Sequence, residues 1–188
     1  MLLDRILRVI KLDKSVYAEV EVDQTATSQA ALVVAIVAVL SAIGGGLGTL
    51  VTSGGRGFIV AFLVAILSAF VGWLVWAAVT YFVGTSLFHG EATLGEMLRV
   101  IGFAQAPRML SLFSFIPCVG WVISFAGLLL SLYTGFLAIR EGLDLDTNKT
   151  IATVVIGWIV AVLVNVVIGL IFGVGMAGIG AVGSLFGS

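Results

Sequence analysis

The sequence predicts an all-α fold, a polytopic membrane helix bundle of five transmembrane helices with an N-terminal amphipathic helix. Three observations predict it. Hydrophobic residues make up 61% of the 188 residues and charged residues only 10%. A soluble domain carries about 25% charged residues, so this chain lacks the polar groups to cover a water-facing surface. The apolar residues are gathered into uncharged runs long enough to cross a bilayer core. Lys and Arg cluster at one set of run ends, the pattern of a cytoplasmic face.

Three regions follow: a cytoplasmic amphipathic helix and juxtamembrane segment over 1–29, a five-span domain over 30–173, and a glycine-rich tail over 174–188. Residues 2–12 place Leu2, Leu3, Ile6, Leu7 and Ile10 on one helical face, with Asp4, Arg5, Arg8 and Lys11 on the other. Such a helix lies in the headgroup layer or packs on the protein's own cytoplasmic side. Charges are scattered through this opening, which therefore does not read as a cleavable leader. Residues 15–29 are polar and acidic and read as a juxtamembrane helix or loop. Asp23, Thr25, Thr27 and Ser28 are candidate N-caps for the first span.

The first span covers residues 30–51, without a charge. The second lies within 58–88, a run of roughly 46 Å at helical rise, which exceeds a ~30 Å core. Trp73, Trp76 and Tyr81 sit too deep in it to form an interfacial belt, so they pack between helices. Thr93 and Glu96 then have capping-box spacing. Leu94, Met97, Leu98 and Ile101 form the apolar stripe of a short interfacial helix. A further span covers 119–139 and the last 150–172. Residues 174–188 extend that helix and end as a glycine-rich apolar tip.

Between these lies "RVIGFAQAPRMLSLFSFIPCVGW", residues 99–121. If it crosses, Arg5, Arg8, Lys11, Lys14, Arg99, Arg108, Arg140 and Lys149 share the N-terminal side, and only Arg56 lies opposite. If it does not cross, Arg140 and Lys149 join Arg56. Charge therefore favours a crossing, with the N-terminus cytoplasmic and the C-terminus outside in a cell (inner) membrane. Length opposes it, since residues 109–116 make only about 12 Å of α-helix. The reconciliation is a short leg broken at Gly102, with Pro107 in its first stable turn. Arg108 then reaches back toward the cytoplasmic headgroups.

Polar residues at membrane depth are the candidate interaction sites: Gln105, Pro107 and Arg108 on the broken leg, and Asn165 on the last span. Tyr81 and Tyr133 are softer candidates. Gly120, Ser124, Gly127, Ser131 and Gly135 form a small-residue seam along the fourth span. Gly169 and Gly173 make a GxxxG pair, as do Gly44 and Gly48. Such seams let helices approach closely in lipid. No catalytic residues, cofactor-binding residues or metal ligands are identified, and no cofactor is expected. Cys118 is a lone thiol and His89 a lone imidazole at a helix end. "SGGRG" lacks the Lys-Ser/Thr of a phosphate loop. A net charge of −1 gives no basis for nucleic-acid binding.

"GEATLGEMLRVIGFAQAPRMLSL" followed by "IPCVGWV" resembles the core motif of prokaryotic members of the Yip-one domain family. Their eukaryotic relatives are Ypt/Rab-interacting membrane proteins. The resemblance falls on Glu96, Leu98, Arg99, Gly102, Ala104, Ala106, Pro107, Pro117 and Gly120, and with the five-span layout covers about residues 5–172. It implies no enzymatic activity. The eukaryotic association with Rab GTPases and membrane traffic is not implied for a prokaryotic chain. The expected function is a non-enzymatic scaffold or adaptor that binds membrane-protein partners or organises lipid. The alternative is a small transporter, channel or lipid-handling protein using the polar residues of the broken leg. The expected partners are the lipid bilayer, other membrane proteins or a second copy of the chain.

Overall fold

The computed structural model describes residues 2–53, 58–116, 118–160 and 162–163. Every regular element among them is helical. They are α1 (Leu2–Ile10), α2 (Ser15–Val22), α3 (Ala26–Ser53), α4 (Phe58–Phe88), α5 (Leu94–Ala104), a 3-10 helix (Ala106–Phe115) and α6 (Gly120–Gly142). A last helix, α7, covers Thr147–Val160. Of the five expected spans, α3, α4 and α6 are helices long and apolar enough to cross a membrane. The outer part of the fifth and the tail lie outside the described residues.

The run directions alternate. Ala30 of α3 lies beside Gly102 and Gly44 beside Ser111 and Leu112, so α3 and the broken leg run the same way. α6 runs opposite, with Gly142 beside Val100, Gly127 beside Pro107 and Leu110, and Gly120 beside Phe113 and Ser114. The end of α4 meets Leu143 through Gly84 and Gly90. α7 sets Gly157 against Trp76 and Thr80. One end of the bundle thus collects the start of α3, the end of α4, the start of α5, the end of α6 and the start of α7. It also carries Arg5, Arg8, Arg99 and Arg140, and is called the charged end below.

α5 begins at the expected capping box: Thr93 accepts from the Glu96 N–H and the Glu96 carboxylate accepts from the Thr93 N–H. It runs alongside α6, from Val100 beside Gly142 to Ala104 bonded to Thr134. The leg beyond it is not α-helical. Pro107 has no N–H to offer, and the Arg108 N–H turns to the Gln105 carbonyl at 2.9 Å. The tighter winding changes the length. Ten residues rise about 20 Å as a 3-10 helix against about 15 Å as an α-helix. With about 16 Å from α5, the two-part leg matches a ~30 Å core.

Switching hydrogen-bond pattern frees the Ala104 carbonyl, which an α-helix would pair with residue 108. A buried carbonyl needs a partner. The hydroxyl of Thr134, wholly buried on α6, donates to it at 2.7 Å. Tyr17 of α2 in turn donates its phenol to the Thr134 carbonyl at 3.1 Å. Two glycines let the leg in: a Cβ at Gly44 or Gly120 would collide with leg carbonyls. Ser41 and Ser111 share a hydrogen bond at 2.6 Å across the α3 side.

The densest core sits at the charged end, where Tyr17, Met97, Ile101, Phe103, Ile139 and Leu143 are fully buried. Residues 15–29 are therefore a packed part of the fold. Arg99 locks them down, and it is buried rather than flanking the membrane. Its guanidinium donates to the Val20 carbonyl at 2.9 Å and to the Glu21 carbonyl. These are C-terminal carbonyls of α2, an end that favours a cation. α1 is rotated from its expected face: Arg5, Ile6 and Val9 turn inward, and Leu3, Leu7 and Ile10 are exposed. Arg5 is drawn in because its partners stand there, Glu19 and Asp23 at 2.8 Å each and Gln29 at 3.0 Å. Arg8 adds Glu19 at 2.5 Å and Asp13 at 3.0 Å.

This network sets the acid response. The Ser15 hydroxyl and then Arg8 hold the Asp13 carboxyl down to about 2. The Thr25 hydroxyl and then Arg5 do the same for Asp23, also to about 2. Both folded values lie below the ordinary 3.8. The stability they contribute is present above that value and lost as pH falls through about 2. Amide exchange, corrected for its intrinsic pH dependence, should show α1 losing protection between about pH 4 and pH 2 while α6 keeps it. Unchanged α1 protection down to pH 2 would contradict the coupling. At neutral pH, Thr134→Val should destabilise the detergent-solubilised protein by about 1–3 kcal/mol, the cost of a buried carbonyl left unpaired. Thermal unfolding with no loss relative to the parent would show that the Ala104 carbonyl finds another donor.

Candidate functional site

The broken leg borders a cleft of about 560 Å3 between α3, α4, α6 and α7. Pocket sites of this size bury small ligands or parts of larger ones. α3 contributes Val37 and Ser41; α4 contributes Ala65, Ser68, Ala69, Gly72, Trp73 and Trp76. The leg side supplies Ile101, Gln105 and Arg108; α6 supplies Leu128, Ser131, Gly135 and Phe136. Val154 and Trp158 close it from α7. The Trp73 indole donates to the Leu98 carbonyl at 3.0 Å, which pins α4 to α5 at one wall.

Two of the expected polar residues meet here. Gln105 and Arg108 both line the cleft, while Pro107 is buried behind them at the break. Arg108 stands farther from the charged end than its expected place near the cytoplasmic headgroups. Pro107 and Leu110 lie against Gly127, which is about 22 Å along α6 from Gly142 and about 10 Å from Gly120. The reason is α5, which runs along α6 before the break. Among the described residues no side-chain hydrogen bond or ion pair engages the Arg108 guanidinium, Gln105 included. The contrast with Arg5 and Arg99, each held by several acceptors, is complete.

The small-residue seam of α6 divides between two jobs. Gly127, like Gly120, gives the leg room: a Cβ there would stand 2.9 Å from the Pro107 carbonyl and the Leu110 Cβ. Ser131 reaches toward the Ala104 carbonyl at 3.5 Å. The Ser124 hydroxyl is buried without a partner among the described residues. Gly135 faces the cleft, and a Cβ on it would meet nothing described within 4 Å. Gly72 on the opposite wall is the same. Asn165, Gly169 and Gly173 lie outside the described residues, as does Pro117. Tyr133 is exposed on the outer face of α6, and Tyr81 is partly buried against the core. Cys118 is exposed at the Gly120 end, and His89 is exposed where α4 stops.

Sequence reasoning passed over Tyr17 and Thr134, and it gave Arg5 and Arg99 no buried role, although Arg99 fell within the family motif. Arg5 and Arg99 read as ordinary flanking charges, because nothing local marks a cation whose acceptors lie 14 to 79 residues away. Thr134 had one available signal, a hydroxyl within an otherwise apolar stretch of α6.

Comparison with known proteins agrees with the architecture. No curated protein and no solved structure matches the chain. The model of the Yip1 domain matches residues 14–170, from α2 through the described end of α7 and beyond. With most of its length matched and its apolar helices able to span a membrane, the chain is a multi-pass membrane protein belonging to the Yip1 domain family.

Proposed function

We propose that this chain is a non-enzymatic membrane scaffold or adaptor that crosses the bilayer five times and gathers membrane-protein partners or lipid around its bundle. The observation that carries this is the free half of α4. The helix is apolar throughout. Its second half is packed through Trp73, Ala77, Thr80 and Val83. Its first half has no buried residue among those described from 59 to 72, and presents Ile59, Leu63, Leu67 and Val71 at helical spacing. A face of that kind suits a partner helix. Five crossings are supported by the alternating run directions, the length of the two-part leg and the collection of cationic residues at one end. By the positive-inside rule that end is cytoplasmic, in a cell (inner) membrane, with the C-terminus outside.

A second reading, a small transporter, channel or lipid-handling protein, is favoured by Arg108, which lines the cleft with no partner among the described residues. Intramembrane cations are functional by default.

A photo-crosslinking residue at Leu67 in native membranes should yield a discrete protein adduct, absent when the probe sits at buried Ala77. An adduct at twice the chain's mass would identify the partner as a second copy. Lipid adducts alone at Leu67 would overturn the partner-binding reading. Orientation has its own test in Cys118. A membrane-impermeant maleimide should label it in intact cells, whereas Arg140→Cys in a Cys118→Ser background should label only after permeabilisation. The reverse pattern would invert the topology.

A further inference from the structure

We propose that the cleft binds an anionic glycerophospholipid, its phosphate on Arg108 and an acyl chain along the walls of α4 and α6. Three features converge on this ligand. The lining is apolar apart from Arg108, Gln105 and a few serines. The guanidinium has no intramolecular counter-charge among the described residues. An arginine at that depth is costly unless something polar meets it. A phosphate diester supplies a charge and several acceptor oxygens, the geometry a guanidinium fork is suited to.

The walls explain where the chain of such a lipid would run. Gly72 and Gly135 both line the cleft, and a Cβ on either meets nothing described within 4 Å. Other described glycines are used for close packing: a Cβ at Gly44, Gly102, Gly120 or Gly127 would stand within 3 Å of a neighbour. The smoothness at Gly72 and Gly135 therefore serves the cleft and not a helix contact. Arg108 lies nearer the Gly120 end of α6, and the cleft continues from it toward Ile139. That is the layout of a lipid from the leaflet at the Gly120 end, head outward and chain toward the midplane. A soluble anion would share the phosphate chemistry but would leave the apolar walls without a purpose.

The inference rests on the lipid-binding part of the function proposed above, and its test reads the cleft alone. A scaffold without lipid preference would fail it while keeping its α4 adduct.

The chain holds four tryptophans. Trp121 is exposed away from the cleft, whereas Trp73, Trp76 and Trp158 line it. The variant Trp121→Phe reports on the cleft through the remaining three. Full-length protein in phosphatidylcholine nanodiscs is doped with equal low fractions of chain-brominated phosphatidylglycerol or chain-brominated phosphatidylcholine. The anionic lipid should quench with about fivefold higher apparent affinity, the preference one arginine gives near a phosphate. Arg108→Lys should keep most of the preference and Arg108→Gln should lose it. Gly135→Leu puts a side chain into the cleft at a site where a Cβ meets nothing described within 4 Å, and should abolish the preference with Arg108 intact. Equal quenching by the two lipids in the parent protein would overturn the proposal, whatever the variants do. A preference that survives both Arg108→Gln and Gly135→Leu would do so too. Loss of the preference on adding inorganic phosphate would instead assign the arginine to a soluble anion and remove the lipid from the cleft.

Discussion

The fold turns on one displaced hydrogen bond. Pro107 stops α5 from continuing, the Arg108 N–H moves to Gln105, and the Ala104 carbonyl is left open in a dry interior. Thr134 closes it at 2.7 Å. That contact fixes the height of the leg against α6, and the Tyr17 phenol on the Thr134 carbonyl extends the same fixation to α2. Below this level the protein is densely packed, with the largest fully buried side chains. Above it the chain is wound as a 3-10 helix and held by glycine contacts. The break therefore separates a charged end, which holds the largest fully buried side chains among the described residues, from the 3-10 leg, and the cleft runs past both.

The three best placed arginines show how surroundings decide what a charge does. Arg5 meets two carboxylates and an amide, and it organises α1 against α2 and the start of α3. Arg99 meets backbone carbonyls at the end of α2, where partial negative charge is already collected. Both are satisfied within the chain. Arg108 is chemically the same group at greater depth, with its counter-charge not among the described residues. The first two are parts of the architecture, whereas the third lines the cleft with no partner among the described residues.

Much of this was legible in the residues. The long apolar runs announced α3, α4 and α6 because length and hydropathy are properties of a contiguous stretch. The Thr93–Glu96 capping box announced the start of α5 for the same reason. Gln105 and Arg108 stood out as polar atoms at depth, and both line the cleft. The rest depended on contacts between distant segments. A 3-10 helix of ten residues is uncommon, and its stability here comes from Gly44, Gly120 and Thr134 on two other helices. The inward turn of α1 likewise depends on Glu19, Asp23 and Gln29, which a helical wheel of residues 2–12 cannot contain. The cleft is a property of how five segments stand apart, and no single segment encodes it.

The two-part leg has a consequence for biogenesis. α3, α4 and α6 carry enough continuous apolar length to partition into a bilayer one at a time. Residues 94–115 do not. They bring Arg99 and Arg108 and a backbone break whose freed carbonyl has no partner until α6 has arrived. A central arginine alone costs about 2.5–3.5 kcal/mol on insertion scales. The leg depends on contacts with its neighbours. It is stabilised by α3, made before it, and by α6, made after it.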